Sequence, residues 1–146
     1  MLFIGGRRFI QVFDCDKITM IATIDASNWI YKIVPINDDH LLCGGDGILM
    51  VLEANNFTVI VKEKTQSWVM DIVRVNKENE YALACAEGIN FIKIDPVTLA
   101  IQQLPLQLNN NHSRINKIRD NILLISHDGS NLFIFDTLNQ MIICEC

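Results

Sequence analysis

The residues of this chain that could do covalent chemistry come in a few small groups. Ser126-His127-Asp128 has the letters of a hydrolase triad, in which a histidine takes the proton of a serine nucleophile and a carboxylate orients the histidine. Consecutive residues of a strand point to alternate faces, so three in a row do not converge on one reacting atom. Cys144-Glu145-Cys146 suggests a metal, but a tetrahedral zinc site takes four ligands, and no second Cys/His pair stands at ligand spacing. His40, His112 and His127 fall in separate turns or strand ends, where a surface or capping role is expected. Gly44-Gly45-Asp46-Gly47 is glycine-rich, yet an apolar strand follows it where a phosphate-cradling loop would lead into a helix. These patterns give no catalytic residue, no cofactor and no metal, and the chain is read as a non-enzyme.

Charge and hydropathy narrow the partners. The 146 residues carry 12 Lys and Arg against 17 Asp and Glu, a formal charge of −5. The basic residues are scattered, whereas binding to a duplex rests on clustered cations that neutralise phosphates, so nucleic acid is not an expected partner. Arg7-Arg8 is the only basic doublet and is read as a solvated turn rather than an anion contact. Half of the residues are hydrophobic, but no apolar run approaches the roughly 20 residues that cross a bilayer as a helix. The first residues lack the pattern of a secretory signal, and no membrane partner is expected. Five cysteines, an odd number, agree with a reducing compartment, and a cytoplasmic location is expected. The formal glycosylation sequons at Asn56 and Asn111 are accordingly read as turn residues.

The elements that would position any site are short strands. Between Asp39 and Lys64, Leu41-Leu42-Cys43 and Ile48-Leu49-Met50-Val51-Leu52 are apolar runs separated by Gly44-Gly45-Asp46-Gly47. Glycine and Asp-Gly supply the positive φ of a tight hairpin, so these runs fold back on each other. After the polar break Glu53-Ala54-Asn55-Asn56 comes a third, β-branched run, Phe57-Thr58-Val59-Ile60-Val61. The same grammar returns from Leu2 to Ile24, Tyr81 to Ile101 and Asn121 to Ile143. An acidic residue closes the middle strand of each copy, at Asp14, Glu53, Asp95 and Asp136, with intervals of 39, 42 and 41 residues. A further strand precedes each later hairpin, beginning near Trp29, Trp68 and Arg114. A period of about forty residues with four strands per repeat lies in the range of propeller blades.

The repeat resembles the WD-repeat β-propeller family over nearly the whole chain. The matching pieces are Val69-Met70-Asp71-Ile72 with Asp46-Gly47 and Leu52-Glu53, and Ile115-Asn116-Lys117-Ile118 with Asp128-Gly129 and Phe135-Asp136. The namesake Trp-Asp is replaced by Phe13-Asp14, Leu52-Glu53, Ile94-Asp95 and Phe135-Asp136, and no Gly-His pair precedes a repeat. Of the family's buried His, Asp, Ser/Thr and Trp network only fragments remain, such as Asp128 with Ser126, so apolar packing between blades must do more of the work.

The expected fold is therefore all-β, about fifteen strands in four-stranded antiparallel blades, the first blade lacking one strand. The units are approximately residues 1–26, 27–65, 66–108 and 109–146 of one propeller or half-propeller. The polar insertion Asn109-Asn110-Asn111-His112 is the expected variable loop. Three resolutions of so partial a ring stand open: a four-bladed ring, a piece of a longer polypeptide, or two copies closing a seven- or eight-bladed ring. The last is favoured, because a two-fold pair buries both sets of uncovered blade faces at once.

In function the resemblance implies a non-catalytic scaffold for other proteins. The alternatives are a propeller portion of a larger enzyme or trafficking complex, and a small-ligand site in a central channel lined by Lys32, Asp71, Asn116 and Lys117. Trp29, Trp68 and Arg114 open successive inner strands, which in the family lie near the rim where partners dock, and Trp and Arg dominate binding hot spots. The competing expectation for both tryptophans is that they wedge between neighbouring blades.

Overall fold

A computed structural model describes residues 1–109, 112–127 and 131–145, with residues 109, 112, 113 and 127 described in backbone only. Among these residues there are fifteen strands and no helix, in one three-stranded and three four-stranded antiparallel sheets. The chain divides into two compact units, Met1–Val69 and Met70–Cys146. The Asp128-Gly129 turn, the tip of the polar insertion and Cys146 lie outside the described residues.

The first unit holds two sheets. In the first, β1 (Leu2–Gly5), β2 (Phe9–Asp14) and β3 (Thr19–Asp25) pair in chain order. The second is β4 (Ile30–Pro35), β5 (His40–Gly45), β6 (Ile48–Glu53) and β7 (Thr58–Lys64), also in chain order. Alternation along a strand sends Ile48, Met50 and Leu52 of β6 to one face, where they join Ile10, Val12 and Ile24 of the first sheet in a single core. Leu49 and Val51 on the opposite face are buried as well. An unbroken apolar run is what burial on both faces requires.

The second unit repeats the arrangement with β8 (Val69–Arg74), β9 (Glu80–Cys85), β10 (Gly88–Ile94) and β11 (Ile101–Asn109). The unit boundary falls one residue into β8. Its other sheet is β12 (His112–Arg119), β13 (Ile122–His127), β14 (Leu132–Asp136) and β15 (Met141–Glu145). Ala82, Ala84, Ile89 and Phe91 of one sheet pack with Ile115, Leu123, Ile125, Phe133 and Phe135 of the other. The Phe91 and Phe135 rings meet with centroids 6.3 Å apart. Small residues on β9 leave room for these rings, an interdigitation of small and large that keeps a core dense. Cys43 and Cys85 are packing residues on β5 and β9, and burial pushes the Cys43 thiol up to about 12.

The periodic acidic residue has a local task. Asp14, Asp95 and Asp136 each accept backbone N–H groups two and three residues on, at 2.7–3.2 Å, and so hold the turn that follows the middle strand. The fourth residue after each acid, Ile18, Phe57, Leu99 or Gln140, is left-handed, with φ between 53° and 59°. A β-branched residue rarely adopts this conformation, so Ile18 holds it at a cost in strain. Glu53, one carbon longer, instead takes the Thr58 hydroxyl at 3.3 Å.

These hydrogen bonds set an acid limit on stability. The Lys17 N–H holds the Asp14 carboxyl below its ordinary value of 3.8, the Thr98 N–H does the same for Asp95, and the Asn139 side-chain amide for Asp136. A depressed folded-state value contributes stability above the unfolded value and loses it as pH falls through the folded one. Urea stability is therefore expected to hold near neutrality and decline below pH 3.8. Replacing all three by Asn should flatten that acid limb, and an unchanged limb would contradict the assignment.

Candidate functional site

One hairpin tip organises the exposed surface of the first unit. Between β5 and β6 the chain turns through Asp46 and Gly47, the latter at φ +64°, a conformation that suits glycine. The Asp46 N–H donates to the Trp29 carbonyl at 2.9 Å, and the Asn28 amide donates to the Asp46 carbonyl at 2.6 Å. The approach is so close that a Cβ on Gly45 would overlap the Trp29 carbonyl. On its other side the tip offers the Gly47 carbonyl to the Thr65 N–H at 3.1 Å, and the Thr65 hydroxyl donates to the Ser67 carbonyl at 2.7 Å. The connectors that lead into Trp29 and Trp68 are thus both fastened to the same turn.

Their backbones are held, but their rings are not covered. Trp29 is 45 % exposed and Trp68 is 53 % exposed, so the expectation that the indoles wedge between blades does not hold. Each stands one residue before an inner strand, β4 or β8. Arg114 differs from the expected placement: it lies within β12, opposite Ser126, because pairing with β13 extends back to His112. It too is exposed, and its carbonyl takes the Ser126 hydroxyl at 3.4 Å. Trp29 and Trp68 belong to the first unit and Arg114 to the second.

Of the polar residues read as a channel lining, Asp71 and Lys117 have structural partners. Asp71 is 6 % exposed and is the buried charged side chain among the described residues. Its Oδ1 accepts from the Ile72 N–H at 2.9 Å and its Oδ2 from the Ile115 N–H of β12 at 3.2 Å. The carboxylate thereby joins the inner strands of two adjacent sheets where direct backbone pairing does not reach. Lys117 pairs with Asp120 at 2.5 Å. Of the triad letters, the Ser126 hydroxyl is engaged by Arg114, while the His127 side chain and Asp128 lie outside the described residues. Among the described residues no three His, Cys, Asp or Glu come together to hold a metal ion. Trp and Arg are the residue types that dominate binding hot spots.

Two substitutions test this framework. Asp71→Ala strands the Ile115 N–H and should cost about 2–4 kcal/mol in denaturant unfolding, with Asp71→Asn milder because it keeps one acceptor. An unchanged midpoint would show that the carboxylate bridge carries no weight. Gly45→Ala should cost about 2–3 kcal/mol by overpacking against Trp29. Gly6→Ala is the control, since a Cβ there meets nothing closer than the Phe9 carbonyl at 3.8 Å.

No family model matches the sequence, and no curated protein matches it significantly. Among solved structures, the chain is similar to the β-propeller domain of Cps50 (Swd1) from Myceliophteria thermophila, with a TM-score of 0.70 at 15 % identity. The match covers 84 % of this chain and 42 % of that one, so this chain spans less than half the length of the structure it matches. With every sheet antiparallel and repeating about every forty residues, the chain folds as the blades of a β-propeller.

Proposed function

We propose that this chain is a non-catalytic scaffold for other proteins, with Trp29 and Trp68 forming a docking surface of the first unit and Arg114 a partner contact of the second. The observation that carries the reading is the shared turn at Asp46 and Gly47, which fixes the backbone ahead of two half-exposed indoles. A large, rigid aromatic loses little conformational freedom on binding and buries much area. Fold alone does not decide function.

We further propose that two copies join to complete a ring of seven or eight blades. The first sheet turns Leu2, Ile4 and Phe9 away from its core, and each is 44–50 % exposed. The last sheet likewise turns Leu124, Leu132, Ile134 and Cys144 to the face opposite Phe133 and Phe135, all of them exposed or half-buried. Apolar faces of this kind are covered by a neighbouring blade in a propeller, and two chains together approach the length of the propeller domain matched above. We place this role inside the cell, where reduced cysteines such as Cys15 and Cys43 persist.

The double change Trp29→Ala with Trp68→Ala should leave the melting temperature nearly unaltered and weaken a co-purifying partner by about tenfold or more. Affinity isolation with quantitative mass spectrometry measures this, and an unchanged partner set would refute the docking surface. Light scattering should return the mass of two chains; the mass of one would remove the paired ring and leave the scaffold reading standing.

A further inference from the structure

Beside the docking turn lies a cleft of about 500 Å³, within the first unit, between the connector Ser27-Asn28 and the end of β7. That volume lies in the range of ligand sites, about 300–1,000 Å³. Gly47 and Ile48 line the cleft together with Lys62, Glu63 and Lys64. The strand register decides how the charges are distributed. Lys62 pairs with Met50 and Lys64 with Ile48, so both lysines share the face of Met50 and Ile48, whereas Glu63 pairs with Leu49 on the opposite face. Alternation thus turns the two cations to one face of β7, while Glu63 between them also lines the cleft.

The Lys62 ammonium is held in the cleft by donating to the Ser27 hydroxyl at 2.9 Å. An ammonium has three donors, and among the described residues no carboxylate pairs with Lys62 or Lys64. Two residues along a strand span about 6.6 Å, which suits two carboxylates of one extended segment. The turn bearing Arg7 and Arg8 is fastened to this connector, with the Ala26 N–H donating to the Arg8 carbonyl at 2.8 Å and the Ile30 N–H to the Gly6 carbonyl at 3.0 Å. Of the acids nearby, Asp25 is engaged by the Ser27 N–H at 2.8 Å, and Asp46 sits at the hairpin tip. In a chain of net charge −5, a cleft lined by two lysines and one acid, Glu63, is a local exception.

We infer that this cleft binds an acidic segment of a partner protein, with Lys62 and Lys64 taking its carboxylates and Ser27 and Asn28 supplying polar contacts. The inference deepens the scaffold reading and rests on it. The cleft opens beside the connector that leads into Trp29, so an acidic segment seated there would meet the indole surface as it leaves.

Fluorescence anisotropy with fluorescein-labelled hexaglutamate, titrated with the full chain, tests it. Saturable binding that weakens as salt rises is expected, with a loss of about tenfold in Lys62→Met with Lys64→Met. Methionine keeps the aliphatic cover over Met50 and Ile48, and circular dichroism checks that the variant is folded. Lys17→Met, which removes an exposed lysine paired with Asp14, should bind like the parent. The inference is overturned by any of four results: no binding of hexaglutamate, equal binding by the double variant, equal binding of hexaglutamine, or displacement by inorganic phosphate at matched charge concentration. Any of these with partner capture through Trp29 and Trp68 intact would discard the cleft alone and keep the docking surface.

Discussion

The constraint on which everything else depends is that a small antiparallel sheet cannot leave its apolar face in water. Three or four short strands gain stability only when that face is covered. In the first unit the cover comes from Ile48, Met50 and Leu52 set against Ile10, Val12 and Ile24, and in the second from Phe91 against Phe135 with the alanines of β9 beneath them. Because β6 and β9 are buried on both faces, the strands are nearly uniformly apolar. The high mean hydropathy of +0.24 is a consequence of this two-sided burial.

Apolar packing sets which faces meet, but it is not directional, so polar links set how they meet. The Asp71 carboxylate reaches from β8 to the Ile115 N–H and acts as an acceptor that the backbone itself cannot supply across that gap. At the far end of the same pair of sheets, the Asn76 amide donates to Asn121 at 3.1 Å and the Asn121 N–H to the Val75 carbonyl at 3.2 Å. Buried and part-buried hydrogen bonds of this kind are costly to leave half made, which favours a single relative placement of the two sheets. In the first unit the Asp46 turn has the same part, gripping one connector through its N–H and carbonyl and a second through Gly47.

What this architecture offers a partner follows from where its freedom has been removed. The strands and connectors are hydrogen-bonded, so exposed side chains on them need little reorganisation to bind. Trp29 and Trp68 are indoles on a fastened backbone, and Lys62 is an ammonium tethered to Ser27. Large aromatic area beside a cationic cleft suits a segment that is acidic and has an apolar end.

Much of the fold was legible because its signals are local. Period-two alternation, Asp-Gly and the acid at Asp14, Glu53, Asp95 and Asp136 depend on residues within a few positions of one another, and they mark fifteen strands, the three-stranded first sheet and the hairpins. The left-handed residues Ile18, Leu99 and Gln140 carried no such mark, since glycine is the usual signature and none stands there. The site was less legible still. That Trp29 and Trp68 face outward, that Arg114 sits inside β12 and that Asp71 spans two sheets depend on where a connector docks against a turn distant in sequence. Lys62 and Lys64 became a pair only through the register that sets Met50 and Ile48 opposite them. The amino-acid order by itself determined the strands and the turns between them, because those rest on neighbours along the chain. Which side chains were left facing outward was decided only when sheets packed face to face, because exposure is a property of what lies across the interface.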